Sequence, residues 1–572
     1  MAEKNDARWH FQTFTRNHGR TYINTFTTEW DPLKKRSHVS KSIYAGRLHP
    51  DGTLKFSKGF IEKFPQYSQG QWYWGADRKP VTADQYARDF PAKPGPAPKV
   101  QEEDTGEPVM RRVGGGYAAW QTAVRAGMLG DLQAELGSEM GRGYLQAAVF
   151  AVNSKKSMSC LGAWLEGNWL PDAGPQASQR ISELLGRISW KQVSGYFKRR
   201  HEAKRKAHAE KNPGEPLQYA LDNTSISTYS ETIEEAEFGH AKRDPQLRQV
   251  NLTLVCDQDD SEIVYAHEYS GAINDVTEFA EILSCLVDAG FDLADTVLVT
   301  DRGYDSLRNV RDMVGRKMLF VQGVRISSKE VRRQIDQHRE EIKLDRNYDP
   351  ALDIHGLAVE DAAEQWEGKP VYLHLYFDPV SLNDSHRFYA AGADGVAKYR
   401  NEGTKPPAIE WQIHGSFVRQ DADGTWSRNN ESIDRTLRYR GFTAIRSNFF
   451  RNPFEAKRCY NRREMVERDF RIFKNDVGGD RIRGTKATYI GRLFVFILAT
   501  SLRMMMLHQA KANETPDNKI PENSLDDVLE YLDHLYAEKR GDANAWVVRT
   551  PTKKQRNMFA LLGVDPPPKV LY

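Results

Sequence analysis

The hydrophobic period changes near residue 216, and this limits the folds open to the chain more than any other feature. Before it, apolar residues recur at three- and four-residue spacing, through Leu129, Leu132 and Leu136 and again through Ile181, Leu184, Leu185 and Ile188, as in amphipathic helices. After it come short runs of strand character: Gln218 to Asp222, Val250 to Val255, and Ile263 to His267, the last two joined by the polar turn Asp257-Gln258-Asp259-Asp260. Asp275 to Ala289 then carries Phe279, Ile282, Leu283 and Leu286 on one helical face. Thr296-Val297-Leu298-Val299-Thr300 is apolar throughout, as a parallel strand covered on both faces must be. A short helix from Asp305 to Val314 and a strand over Met318 to Val321 follow. The order β-β-β-α-β-α-β predicts an α/β fold, a mixed sheet with helices packed on it.

The flanking regions divide by composition. Residues 1–87 read as β-rich, with a hairpin between Thr21-Tyr22-Ile23-Asn24-Thr25-Phe26 and Ser42-Ile43-Tyr44-Ala45-Gly46 around the basic turn Lys34-Lys35-Arg36. Residues 88–116, rich in Pro, acids and glycine, read as a linker. Gly114-Gly115-Gly116 has no following Gly-Lys-Ser/Thr and reads as a flexible joint rather than a phosphate loop. Residues 117–215 are helical and end in a basic cluster, eight Lys and Arg against two Glu between Lys191 and Lys211. That cluster, with Lys198, Arg199 and Arg200, is either a solvated helix end or a phosphate-contacting surface. The first part of the α/β core covers 216–325. An inserted β-rich subdomain with Trp366, Trp411 and Trp426 covers 326–445, these tryptophans being candidate base-stacking platforms or core. The second part of the core, 446–510, is expected as helices from Pro453 to Lys474 and Ala487 to His508, and 511–572 as a C-terminal helical tail.

Charged residues make up 28% and the AVILMFWYC set 39%, a globular balance. Lys and Arg number 81 against 78 Asp and Glu, a net +3 that neither requires nor excludes nucleic acid. The start, MAEKNDARWHFQTF, lacks an apolar signal region. Leu493 to Leu507 is broken by Arg503 and falls short of the ~20 residues of a spanning helix, so no membrane partner is expected. Four well-separated cysteines make neither a CxxC zinc pattern nor a disulfide framework. A cytoplasmic protein is expected.

Asp222 and Asp301 fall where strand ends would present them, the usual place for a site in α/β folds. Two carboxylates together away from bulk solvent are costly without a cation. On a helical wheel Tyr460, Arg463, Glu467 and Lys474 share a stripe about 60° wide, extended by Arg471. A surface ion-pair ladder would give the same stripe. Glu464 lies on the neighbouring face, about 60° from Glu467.

The spacing Tyr460-x2-Arg463-x3-Glu467-x6-Lys474 resembles the Y-R-E-K signature of a group of bacterial insertion-sequence transposases with an Asp-Asp-Glu triad. Those enzymes belong to the retroviral-integrase superfamily, with an RNase H-like fold. Leu221-Asp222-Asn223-Thr224 is similar to the first-Asp strand, with Asn223 where many members have Thr. Val299-Thr300-Asp301-Arg302-Gly303-Tyr304 is similar to the second-Asp motif, and Gly239-His240-Ala241-Lys242-Arg243-Asp244 with Leu247-Arg248-Gln249 to a segment many members carry.

The resemblance implies that Asp222, Asp301 and Glu467 are catalytic and bind two Mg²⁺ ions, for which Mn²⁺ can substitute, and that DNA is cut and the freed 3′-hydroxyl joined to target DNA. It places Tyr460, Arg463, Lys474, Arg471 and Arg302 against DNA. It also implies double-stranded DNA partners (terminal inverted repeats and target), a homodimer on DNA, and a nucleoid-associated location. A nuclease or resolvase of the same fold, cutting without joining, and a catalytically silent DNA-binding descendant are the alternatives.

Overall fold

The computed structural model describes residues 9–15, 21–32, 36–49, 51–89, 108–173, 177–239, 246–361, 366, 370–482, 484–540 and 544–572. The chain forms two compact units, Met1–Glu107 and Pro108–Tyr572.

In the first unit the strands His10–Thr15, Thr21–Asp31, Arg36–Leu48, Thr53–Phe56, Trp72–Trp74 and Pro80–Thr82 each pair with the next in an antiparallel meander. Its small core is Ile23, Ala45 and Phe60, ringed by aromatics such as Phe11, Phe56 and Tyr67. The expected hairpin is its longest pairing. Lys34 and Lys35 of the basic turn lie outside the described residues, as do residues 240–245 of the segment quoted above.

The second unit is built on a nine-stranded sheet. Its first strands are β1 (Leu217–Thr228), β2 (Arg248–Asp257) and β3 (Ile263–Ser270), mutually antiparallel. Helix α1 (Asp275–Asp288) leads to β4 (Thr296–Thr300), and α2 (Leu307–Gly315) to β5 (Leu319–Val324). β4 lies parallel between β1 and β5, and all five of its residues are buried, as its apolar run requires. The expected order of elements is the observed one.

The region 326–445 corrects the expectation of a separate β-rich subdomain. Its strands β6 (Tyr348–Asp349), β7 (Ile354–Glu360), β8 (Tyr372–Phe377) and β9 (Phe442–Ser447) extend the same sheet, in the order β3-β2-β1-β4-β5-β9-β8-β7-β6. Between β8 and β9 stands a mostly helical excursion that opens with α3 (Pro379–Asn401) and has its own core of Ala393, Val396, Phe417, Ile433 and Leu437. The weakly patterned α3 sequence hid this helix, yet Asp378-Pro379 is a start signal: the Asp378 side chain accepts a hydrogen bond from the Ser381 N–H at 3.0 Å, and proline follows at the first helical position. Trp366 is half-buried against the main core and donates to the Asp361 carbonyl; Trp411 and Trp426 meet edge to face with Arg400 over both.

Two further expectations are corrected at the ends of this unit. Part of the supposed linker is ordered: Val109–Arg112 pairs antiparallel with Tyr536–Lys539. Gly114 is packed rather than a joint, since a Cβ there would fall 1.8 Å from the Leu532 carbonyl oxygen. The tail is likewise not simply helical, because Tyr536–Lys539, Trp546–Val548 and Val570–Leu571 complete a four-stranded sheet with Val109–Arg112. The two ends of the unit therefore close on each other.

Past β9 the expected single helix is two, α4 (Pro453–Asn461) and α5 (Glu464–Arg471), followed by a π-helical turn at Ile472–Asp476. The last long helix, α6 (Lys486–Ala512), is long and apolar enough to cross a membrane, but most of it is buried inside the protein. Arg503, in its middle, pairs with Asp526 and donates to the Val152 carbonyl.

The basic helix Trp190–Lys211 is also corrected. Arg200 is 3% exposed and forms two hydrogen bonds to the buried Glu262, at 2.6 and 2.9 Å, and one to Asp131 at 2.8 Å. Lys204 faces Asp257, Asp260 and Glu262. Burial works against the charge of Glu262, but Arg200 and Lys204 hold its carboxyl below the usual range. Arg200 is thus a core ion pair and not a phosphate contact. Arg200→Ala is expected to cost about 3–5 kcal/mol of folding free energy, because it removes both Arg200 hydrogen bonds to the buried Glu262 and leaves Lys204 alone to offset that charge. Denaturant titration measures this, and a loss near zero would refute the pairing.

Candidate active site

The register of two parallel strands brings the first two acids together. Thr300 pairs with Leu221, so the next residues, Asp301 and Asp222, stand side by side. Asp301 ends β4 as expected. Asp222, expected at a strand end, lies in the middle of β1. Glu467 arrives on α5, whose buried face is Val466, Asp469 and Phe470, continued by Ile472 and Phe473 in the π turn. That face docks against β1 and β2 and leaves Glu467 at its border with solvent, its side chain 61% exposed.

One guanidinium joins the three acids. Arg463 reaches Asp222 at 3.1 Å, Glu467 at 3.1 Å and Asp301 at 3.6 Å, with its own side chain 10% exposed. Its Nε is buried without a hydrogen-bond partner. Although burial opposes the charge, Asp301, Tyr460, Asp222 and Glu467 hold its pKa above the ordinary arginine value. Tyr460 donates its hydroxyl to Asp301 at 3.0 Å. Burial first, and then the Asp301 charge, push that phenol to about 12, so it remains a donor.

The helix break at Arg462–Arg463 does not separate these residues. The N–H groups of Arg463, Met465 and Val466 bond three residues back, at 3.0, 3.2 and 3.0 Å, a tightened turn that keeps Tyr460, Arg463 and Glu467 on one side. Lys474 sits half-buried in the π turn, where the residue count per turn departs from a regular wheel. Arg471 is exposed, as is Glu464. Arg302 lines the same cleft as Asp301. Lys198 and Arg199 are exposed on another element: Arg199 pairs with Glu135 at 3.2 Å, and the Lys198 stem covers Gly290. With Arg200 they form a set separate from the carboxylates.

Three residues of the site were not singled out by sequence. Lys457, one helical turn before Tyr460, lies over the rings of Tyr376 and Tyr460 and lines a cleft of about 320 Å³ with Asp301, Arg463 and Glu467. Burial lowers its pKa against the pull of Asp378 and Glu464. Arg325 lines an adjoining cleft and braces the Asp301 loop by donating to the Arg302 and Gly303 carbonyls at 3.1 and 3.0 Å. Gly323 lets Tyr460 lie on the sheet, since a Cβ there would fall 2.4 Å from the phenol oxygen. Lys457 could have been found from its three-residue spacing to Tyr460; the other two depend on the sheet.

Among the described residues no three His, Cys, Asp or Glu side chains are gathered tightly enough to hold an ion in these rotamers, and here the Arg463 guanidinium stands between the carboxylates. The donor set nonetheless fits hard divalent cations: three carboxylates from separate segments face one point, and their only common counter-charge is a single arginine. The strain is visible in Asp222. Burial chiefly, and then Asp301 and Glu467, raise its carboxyl to about 6, against the Asn223 N–H and Arg463.

A family model described as a transposase DDE domain matches residues 213–500, from just before β1 into α6. No curated protein matches the chain. Among solved structures, the chain is similar to a piggyBac transposase in a cryo-EM synaptic complex with hairpin DNA. The match covers 80% of this chain and 82% of that one, at 9% identity and a TM-score of 0.34.

The raised Asp222 pKa has a sign that can be tested. The folded protein holds this proton more tightly than the unfolded chain, so the contribution is full below the ordinary 3.8 and is lost as pH rises through about 6. In EDTA, Asp222→Asn should therefore be more stable than the parent above that range, with the gain vanishing at acid pH. Chemical denaturation across pH measures it; a pH-independent difference would show an unperturbed carboxyl.

Proposed function

The chain belongs to the transposase DDE domain family, and from that membership we propose that it cuts double-stranded DNA and joins the freed 3′-hydroxyl ends of a bacterial insertion-sequence type of element to target DNA. The observation that carries this reading is the meeting of Asp222, Asp301 and Glu467, brought from three distant segments, around one guanidinium. An RNase H-like core is supported by the order β3-β2-β1-β4-β5, with three antiparallel strands followed by two parallel ones across helices.

Asp222, Asp301 and Glu467 would hold two Mg²⁺ ions, with Mn²⁺ a substitute. A metal pair held there would supply charge stabilisation for an in-line phosphoryl displacement. The chain's own residues orient the reactants. Tyr460 fixes the Asp301 rotamer through its hydroxyl. Arg463, with two Nη groups and a free buried Nε, has the fork that suits a phosphate. Arg302, Arg325 and Lys457 put positive charge along the clefts beside Asp301, with Arg471 and Lys474 further along the same helical segment. A dimer on DNA, in the nucleoid-bearing cytoplasm, accords with joining two ends.

Cleavage of duplex DNA should require a divalent cation and should be lost in EDTA, in Asp222→Ala and in Asp301→Ala. Glu467→Gln should abolish cleavage with DNA binding retained, whereas Glu464→Gln, on the exposed flank of α5, should stay within a few-fold of the parent. A pre-cut 3′-hydroxyl end should be joined to a target duplex. Activity in EDTA, or the reverse ranking of the two glutamates, would overturn the assignment; cutting without joining would leave a nuclease.

Gly323→Ala tests the positioning of Tyr460. The added methyl displaces the phenol from Asp301, so cleavage should fall at least about tenfold, equivalent to roughly 1.4 kcal/mol of barrier, while the affinity for duplex DNA holds. Unchanged cleavage would show that the Tyr460 hydrogen bond is dispensable.

A further inference from the structure

The segment that carries Glu467 and Lys474 continues into a second positively charged cavity, away from the carboxylates. This cavity, of about 350 Å³, lies between the loop at Lys155–Met158, the turn Val477–Arg481 and helix α6. Lys155, Lys156, Arg481 and Arg492 line it, against a single acid, Asp480.

Lys155 stands 3.8 Å from Asp526, a carboxylate already bonded by Arg503 at 2.5 Å. Arg492 is half-buried, and its Nε is shielded from solvent without a hydrogen-bond partner. Burial lowers its pKa with no acid acting to restore it. A half-buried guanidinium with a shielded, unbonded Nε is stabilised when an anion enters beside it.

The cavity also has a defined position relative to the site. Arg481 forms a parallel bridge with Ser227 of β1, and the Ser227 N–H donates to the Asp480 carbonyl at 3.3 Å. Asp222 is five residues earlier on that strand, about 17 Å away at ~3.3 Å per residue. The Ser227 edge of the cavity thus lies within the span of a duplex held at Asp222, whose strands each carry a phosphate every ~3.4 Å along the axis.

We propose that this cavity seats a backbone phosphate of bound DNA away from the scissile bond, with Arg492 and Lys156 as its principal donors. The proposal rests on the DNA reading above and gives it a second anchoring point.

The test is the salt dependence of binding of the full-length chain to a short duplex of arbitrary sequence. Removing one cation from a phosphate should lower the slope of log K against log salt by about 0.9. Lys156→Gln and Arg492→Gln should each show that decrease, with several-fold weaker binding at low salt. Lys156→Arg should keep the parent slope. Lys156 is exposed, so its variant remains informative if Arg492→Gln fails to fold. A parent that binds steeply with salt, and variants that reproduce its slope, would overturn this site alone. A parent that binds no duplex would overturn the DNA reading and this site together.

Discussion

Three carboxylates in a half-buried pocket repel one another, and the centre of this protein is organised around that repulsion. The parallel pairing of β1 and β4 forces Asp222 and Asp301 into adjacent positions, and the docking of α5 brings Glu467 to them. Arg463, placed by the tightened turn between α4 and α5, is the shared counter-charge. One arginine does not fully compensate three acids, and burial first, with Asp301 and Glu467 adding to it, raises the Asp222 carboxyl. A protein selected for stability alone would place an apolar residue at such a point.

The strands added by the insertion buttress this centre. β9 pairs with β5 on one side and β8 on the other. Arg446 of β9 is buried, bonds Asp361 and reaches Asp305 at 3.3 Å, four residues past Asp301. The loop that carries the second acid is thus held by Arg446 from the insertion and by Arg325 from the end of β5. An insertion that widens the sheet in this way adds a wall to the cleft beside Asp301, since Phe442, Thr443 and Ala444 line it.

What sequence made legible was what depends on local period and spacing. The order of elements from 217 to 324 followed from apolar runs, and the shared face of Tyr460, Arg463 and Glu467 from spacing, whereas their meeting with the aspartates was only what the family resemblance implied. Long-range pairing was hidden. Nothing local shows that Val371 to Phe377 joins the sheet that carries Asp222, or that Val109–Arg112 waits for a strand near residue 537. Charge was the least reliable guide. The basic run between Lys191 and Lys211 has part of its charge neutralised internally, by Glu262, Asp131, Glu135 and Asp257. The cavity around Arg492 draws cations from three segments, none of them conspicuous in the chain.

Glu467 differs from the two aspartates in what constrains it. Asp222 and Asp301 are held by a strand and a strand end, whose backbone hydrogen bonds leave little freedom. Glu467 sits on an eight-residue helix bounded by a tight turn on one side and a π turn on the other. Changes of pitch at both ends mean that the helix cannot rotate freely: the tight turn sets where Arg463 points, and the π turn resets the phase so that Ile472 and Phe473 stay buried beside Val466 and Phe470. The apolar face therefore determines the register of the acid. Rotating Glu464 toward the aspartates would expose Val466 and Phe473, both fully buried here, and each such side chain loses about 1.5–3 kcal/mol when moved to water. That cost far exceeds the gain of moving one exposed carboxylate toward a single arginine, so core packing selects Glu467 as the third acid.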